Sequence, residues 1–320
     1  MADREKILIA VDGSEYSLFA VGYAVSILDP QRFHVVLLNV LTKVPESFID
    51  LEKIPAYRYR LFNVDAWEQQ QEKVINDFMK KACEMLSAAG FPADAVTVRI
   101  DERKVGIARD VASESLEGYK AIIVGRKGMS ELKDFMLGSI AHKILELAHI
   151  PVWIVGSAET PKRILLCMDN SEGAMIAVKH LGSILDGREG REVVLFHAMR
   201  GLSGFKKMIR DVFIHEEGEK QAMDQVAKEL KTAETVLEPS FDKAKVELVK
   251  AGVSPDKISC KIGQGGGNSG NAIIEEAEKH HFDTIVVGRR GISRVEEFLM
   301  GRVSNKVIHL AREKTVWVVS

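Results

Sequence analysis

The sequence predicts an α/β fold built twice, each copy an open parallel sheet with helices on both faces. Three observations carry this. Short aliphatic and β-branched runs alternate with longer stretches at helical spacing, which is how strands joined by helical crossovers read. Lys6–Leu28, KILIAVDGSEYSLFAVGYAVSIL, returns as Arg163–Leu185, RILLCMDNSEGAMIAVKHLGSIL, setting Asp12 against Asp169 and Ser14 against Ser171. Val124–Leu145, VGRKGMSELKDFMLGSIAHKIL, returns as Val287–Ile308, VGRRGISRVEEFLMGRVSNKVI, with three glycines at identical spacing. One domain is expected at residues 1–157 and a second at 163–320.

In the first copy, strands are predicted at Ile7–Val11, Val35–Val40, Val96–Ile100, Ala121–Val124 and Val152–Val155. Helices fall at Glu15–Leu28, Asp65–Ala89, Ile107–Leu116 and Ser139–Ala148. Leu18, Val21, Val25 and Leu28 recur at helical spacing and predict the stripe that the first helix lays on the sheet. The second copy has strands at Ile164–Met168, Val193–His197, Ile258–Ile262, Thr284–Val287 and Thr315–Val319. Its helices are expected at Glu172–Leu185, Glu219–Val236, Phe241–Ala251, Asn271–Lys279 and Val303–Ala311. Ser157–Lys162 links the copies, and Pro161 ends regular structure there. Thr42–Asn63, with Tyr57 and Tyr59, and Arg200–Gly218, with Lys206, Lys207 and Arg210, read as surface excursions.

Composition narrows the function. At 320 residues the chain suffices for two cores, and 46% hydrophobic with 28% charged residues is ordinary for a soluble protein. A net charge of -2 provides no field to recruit nucleic acid or an acidic membrane. No apolar run is long enough to span a bilayer and the start lacks a leader pattern, so a cytoplasmic protein is expected. Three scattered cysteines, Cys83, Cys167 and Cys260, fit reduced thiols.

The glycine stretch is the strongest chemical signal. Gly125 and Gly128 bracket Arg126 and Lys127, and Gly138-Ser139 precedes a helix. Glycines admit close backbone N–H groups to an anion, basic side chains add charge, and a helix start aims free N–H groups at the same point. The second copy keeps Gly288, Arg289, Gly291 and Gly301 but has Arg302 for Ser139, a long cation that either binds a terminal phosphate or fills the site; Ser304 lies a turn on. Asp12 and Asp169 each end a first strand. Two readings stand: an N-cap for the following helix, or a ligand carboxylate at the carboxyl end of the sheet. Gly265–Gly270 matches G-x-G-x-x-G but follows a third strand rather than a first, so it reads as a loop. No metal-ligand spacing and no nucleophile elbow appear, and no catalytic residue is assigned.

Together, an Asp ending the first strand, G-x2-G-x9-G-[ST] near the end of the domain and a last strand after a helix resemble the universal stress protein family, over nearly the whole chain as a tandem pair. The resemblance implies a five-stranded parallel sheet of order 3-2-1-4-5, adenine nucleotide alpha hydrolase-like, and ATP binding, with magnesium as a companion. It implies adenine near Val40, ribose near Asp12 and phosphates on Gly125, Arg126, Lys127, Gly128, Gly138, Ser139 and Ile140. In the second copy Asp169, Gly288, Arg289, Gly291, Gly301, Arg302 and Ser304 correspond, but Arg302, and Ala198 opposite Val40, set that copy apart. It further implies domains paired through their last strands, Pro151–Val155 and Thr315–Val319, within one chain, and a possible homodimer. Three functions follow: an ATP-binding regulator of the stress response, a slow ATPase or nucleotide-dependent transferase, or a partner-binding scaffold without nucleotide.

Overall fold

A computed structural model of the chain describes residues 4–42, 58–128, 137–158, 160–186, 188, 190–199, 216–264, 268–291 and 300–320. The side chains of 58–68, of 264 and of most positions from 216 to 233 are outside the description. So are the greater part of both expected surface excursions and Gly265–Gly267. The chain divides into two compact units, with the main division between Ile154 and Val155.

The first unit runs β1 (Glu5–Ala10), α1 (Glu15–Ile27), β2 (Phe33–Leu41), α2 (Arg58–Ala88), β3 (Val96–Glu102), α3 (Ile107–Glu114), β4 (Tyr119–Gly125), α4 (Ser139–Leu147) and β5 (Val152–Val155). The second runs β6 (Arg163–Cys167), α5 (Glu172–Leu185), β7 (Glu192–Met199), α6 (Glu216–Lys250), β8 (Ile258–Gln264), α7 (Ser269–Lys279), β9 (Thr284–Gly288), α8 (Arg302–Leu310) and β10 (Thr315–Val319). Every strand lies within two residues of its expected ends. The order is β3-β2-β1-β4-β5 in the first unit and β8-β7-β6-β9-β10 in the second. β1 pairs in parallel with β2 and with β4, as β6 does with β7 and β9. Each unit therefore reverses its strand order at its first strand, the place where open α/β sheets hold ligands.

Consecutive burial explains why these strands read as apolar runs rather than alternations. Ile7, Leu8 and Ile9 are all fully buried, because helices cover both faces of a parallel sheet. The stripe on α1 is met in part: Val21 and Leu28 are buried, but Leu18 and Val25 are half-buried, and Ser17, Ala20, Tyr23, Ala24 and Ile27 complete the buried face. α1 is apolar almost all round, so hydrophobic spacing alone does not single out its contact face. Large and small residues share that face, from Ser17 and Ala20 to Tyr23 and Ile27.

One further expectation is corrected. Glu219–Val236 and Phe241–Ala251 are parts of a single helix, α6, that passes through Pro239. Proline inside a helix costs about 3 kcal/mol. Leu237, Phe241, Ala244 and Leu248 form one buried stripe across it. Burying a Leu or Phe side chain contributes about 1.5–3 kcal/mol, so three of them outweigh the break. Among the described residues no helix is long and apolar enough to cross a membrane.

Candidate functional site

At the carboxyl end of β1 the chain turns sharply into α1. The Asp12 carboxylate accepts hydrogen bonds through Oδ1 from the Ser14 N–H (3.0 Å) and the Ser17 hydroxyl (2.7 Å), while the Asp12 N–H donates to Ser17 Oγ (3.0 Å). The N-cap of α1 is Ser14, whose Oγ accepts from the Ser17 N–H. The capping reading of Asp12 is thus corrected: the serine caps, and the carboxylate is held from beneath as an Asx turn. Its Oδ2 points toward the glycine loop, since a Cβ on Gly128 would stand 2.6 Å from it.

The three glycines of that loop do different things. A Cβ on Gly125 would fall 2.7 Å from both the carbonyl carbon and the oxygen of Tyr16, so this glycine lets β4 pack against the first turn of α1. Gly128 meets Asp12. Gly138 closes the loop by donating its N–H to the Arg126 carbonyl (2.9 Å), and a Cβ there would lie 3.2 Å from that oxygen and 3.7 Å from the Gly128 nitrogen. Gly138 also sits at the N-cap of α4 with no side-chain cap among the described residues, so the first-turn N–H groups of that helix point to the same place. Two turns, one helix tip and one carboxylate therefore converge above the switch point.

The basic residues divide. The Arg126 side chain is only 2% exposed, and burial pushes its guanidinium down to about 10, with Tyr16 opposing. It contributes its backbone to the loop surface. Lys127 is half-buried with its Nζ 5.8 Å from the centre of the Tyr16 ring. Ser139 and Ile140 are exposed on the first turn of α4, and Val40 is buried at the end of β2, paired in register with Asp101.

The second unit repeats the frame. Asp169 Oδ1 accepts from the Ser171 N–H (3.0 Å) and from its hydroxyl, Ser171 caps α5, and a Cβ on Gly291 would stand 2.7 Å from Asp169 Oδ2. Gly288 would clash with the Gly173 backbone at 2.8 Å, and the Gly301 N–H donates to the Arg289 carbonyl at 2.8 Å. Here the side chains differ. Ser304 is buried with its hydroxyl given to the Gly288 carbonyl (2.7 Å), which faces it into the fold. Arg289 donates to Ser320 Oγ, and burial together with Arg290 lowers its pKa. Arg302 is exposed.

These features agree with a comparison against known families, in which the model described as the universal stress protein family matches residues 3–156 and again 160–320. The chain belongs to the universal stress protein family. It is a tandem member, with one family domain in each half. Universal stress protein YxiE of Bacillus subtilis (strain 168) is 30% identical over 164 residues, 47% of this chain and 97% of the relative. Universal stress protein MJ0531 of Methanocaldococcus jannaschii is 30% identical over 155 residues, 47% of this chain and 81% of the relative. Among solved structures, a universal stress protein from Archaeoglobus fulgidus DSM 4304 covers 99% of both chains with a TM-score of 0.61 at 19% identity. A putative universal stress protein from Pseudomonas aeruginosa UCBPP-PA14 covers 99% of this chain and 93% of its own, with a TM-score of 0.54 at 17% identity. At these identities the likeness concerns fold alone.

Sequence reasoning passed over two residues of this universal stress protein's first site. Ser17 positions Asp12, and its signal was a polar residue on an apolar helix. Asn39, buried beside Val40, donates its amide to the Val11 carbonyl (2.7 Å); His197 makes the matching bond through Nδ1 to the Met168 carbonyl (2.7 Å). Both tie the end of the second strand to the first, and the repeat alignment pairs them.

Proposed function

We propose that the first repeat binds ATP together with magnesium and that the occupied site alters the surface this universal stress protein offers to partners in the stress response of the cytoplasm. The observation that carries the reading is the closure of the glycine loop on itself beside Asp12. The Gly138–Arg126 bond, the 3.7 Å spacing of a Gly138 Cβ from the Gly128 nitrogen and the uncapped α4 tip form a backbone cradle that any side chain would fill. Such cradles suit phosphate oxygens. In this reading Gly125, Arg126, Lys127, Gly128, Gly138, Ser139 and Ile140 surround the phosphates, with Arg126 acting through its backbone. Asp12 accepts from a ribose hydroxyl and Val40 meets the base. Magnesium would enter with the phosphates; among the described residues no cluster of three His, Cys, Asp or Glu gathers to hold a metal.

The second repeat is proposed as the weaker partner, since Arg302 stands where Ser139 does. Calorimetric titration of the full chain with MgATP tests the assignment. Gly138→Val is expected to abolish binding with the unfolding transition retained, because its branched side chain occupies the cradle. Gly301→Val is expected to change binding little. Retained affinity in Gly138→Val would overturn the site.

A further inference from the structure

Resting on that nucleotide reading, we infer that the second repeat cannot take a nucleoside because its own side chains, the Phe196 ring and the Ser269 hydroxyl, already occupy the base end of its crevice. With phosphates on the loop after the fourth strand and a ribose over the first, a mononucleotide runs across the strand ends. Strands lie about 4.8 Å apart, so the base reaches the second strand, about 10 Å from the loop. In the first repeat that end is formed by Val40 of β2 and its register partner Asp101 of β3. Asp101 is drawn back along its strand by Arg99, whose guanidinium bonds Asp101 Oδ2 and Glu114 Oε1, each at 2.5 Å.

In the second repeat the matching register pair is Ala198 of β7 and Gly263 of β8. Both sites have lost bulk, yet the space is not open. Phe196 shares a face with Ala198, two residues earlier on the strand, and its ring reaches diagonally across: a Cβ on Gly263 would overlap it. The ring is 1% exposed and Gly263 is buried. Leu38 holds the equivalent place in the first repeat, where the Cβ of Asp101 leaves no socket for a ring. The second observation is independent. Ser269, the first residue of α7 and buried, donates its hydroxyl to the Ala198 carbonyl (3.2 Å). That carbonyl is the acceptor at the end of the strand that an exocyclic amine of a base would use. The first residue of α3, Ile107, has no hydroxyl to play this part.

The glycine loop, the Asp169 turn and the strand order are kept, so the second repeat retains the frame of a nucleotide site with its far end self-occupied. One nucleotide per chain is the consequence, even when the loop glycines are intact in both halves. Calorimetric titration of the full chain with MgATP reads the stoichiometry. The expected results are one equivalent for the wild type, one for Gly301→Val, and two for the double variant Phe196→Leu with Ser269→Ala. Two equivalents in the wild type, or a fall in stoichiometry on Gly301→Val, would overturn the inference without involving the double variant or its folding. A single equivalent in the double variant with its first site intact would overturn it as well. No binding to the wild type would instead overturn the nucleotide reading on which it rests.

Discussion

Gly125 and Gly128 are three residues apart in one loop, and the structure assigns them opposite consequences. Replacing Gly125 with alanine drives a Cβ to 2.7 Å from the Tyr16 carbonyl carbon and oxygen and 2.9 Å from its Cβ. Carbon contacts settle at about 3.5–4.0 Å, so the first turn of α1 must retreat by about 1 Å. The obstacle is backbone, which has no rotamer to adopt. Overpacking of this kind costs about 1–3 kcal/mol, and rigid backbone places Gly125→Ala near about 3. For a unit of this size each kcal/mol moves Tm by about 2–4 °C, giving a fall of about 6–12 °C. In Gly128→Ala the Cβ meets only Asp12 Oδ2, at 2.6 Å. A carboxylate can turn aside at about 0.5–1.5 kcal/mol, a fall of about 1–6 °C, but turning it breaks the geometry set by Ser14 and Ser17. Differential scanning calorimetry without nucleotide should therefore rank Gly125→Ala well below Gly128→Ala in Tm, while ATP titration finds affinity reduced at least about tenfold in Gly128→Ala. Gly288→Ala, against the Gly173 backbone at 2.8 Å, should repeat the large shift. A smaller Tm loss for Gly125→Ala than for Gly128→Ala would refute the division of labour.

Two further outcomes test the frame around the sites. Pro239→Ala restores the N–H that α6 lacks and should raise stability by about 1–3 kcal/mol, read as a higher denaturant midpoint with unchanged slope; no gain would mean the helix is already broken there. Burial works against ionisation of Asp110, but backbone N–H groups of Lys104 (2.8 Å), Val105 (3.1 Å) and Gly106 hold its carboxyl below the usual range. A depressed folded value means stability that is present above about pH 4 and lost as pH falls through the folded value. Asp110→Asn should thus be less stable at neutral pH and show a flatter decline of Tm below about pH 4. Parallel curves for the two proteins would refute the role of these bonds in ordering the β3–α3 loop.

Repetition made the architecture legible in one dimension. Strands covered on both faces are apolar at every position, so Ile7–Ile9 and Val193–Leu195 announce themselves without reference to neighbours. The loop glycines were legible because a duplicated spacing is hard to produce by chance. The buried face of α1 was not, since an apolar helix has no contrast for periodicity to detect. The continuity of α6 was not either, because Pro239 is a local signal and the stripe that overrides it runs from Leu237 to Leu248.

Residue type and spacing, then, were enough for the tandem family membership, the strand sequence and the loop that closes beside Asp12, all of which arise from local propensity and from a repeat written into the chain. The fold alone reveals that Arg126 lies buried behind its own backbone, that Asn39 ties the end of the second strand to Val11, and that Phe196 rests in the space over Gly263. Each of these joins residues on different elements or turns a side chain away from its expected face. Such relations are fixed by how strands and helices pack in three dimensions, and no window of sequence contains them.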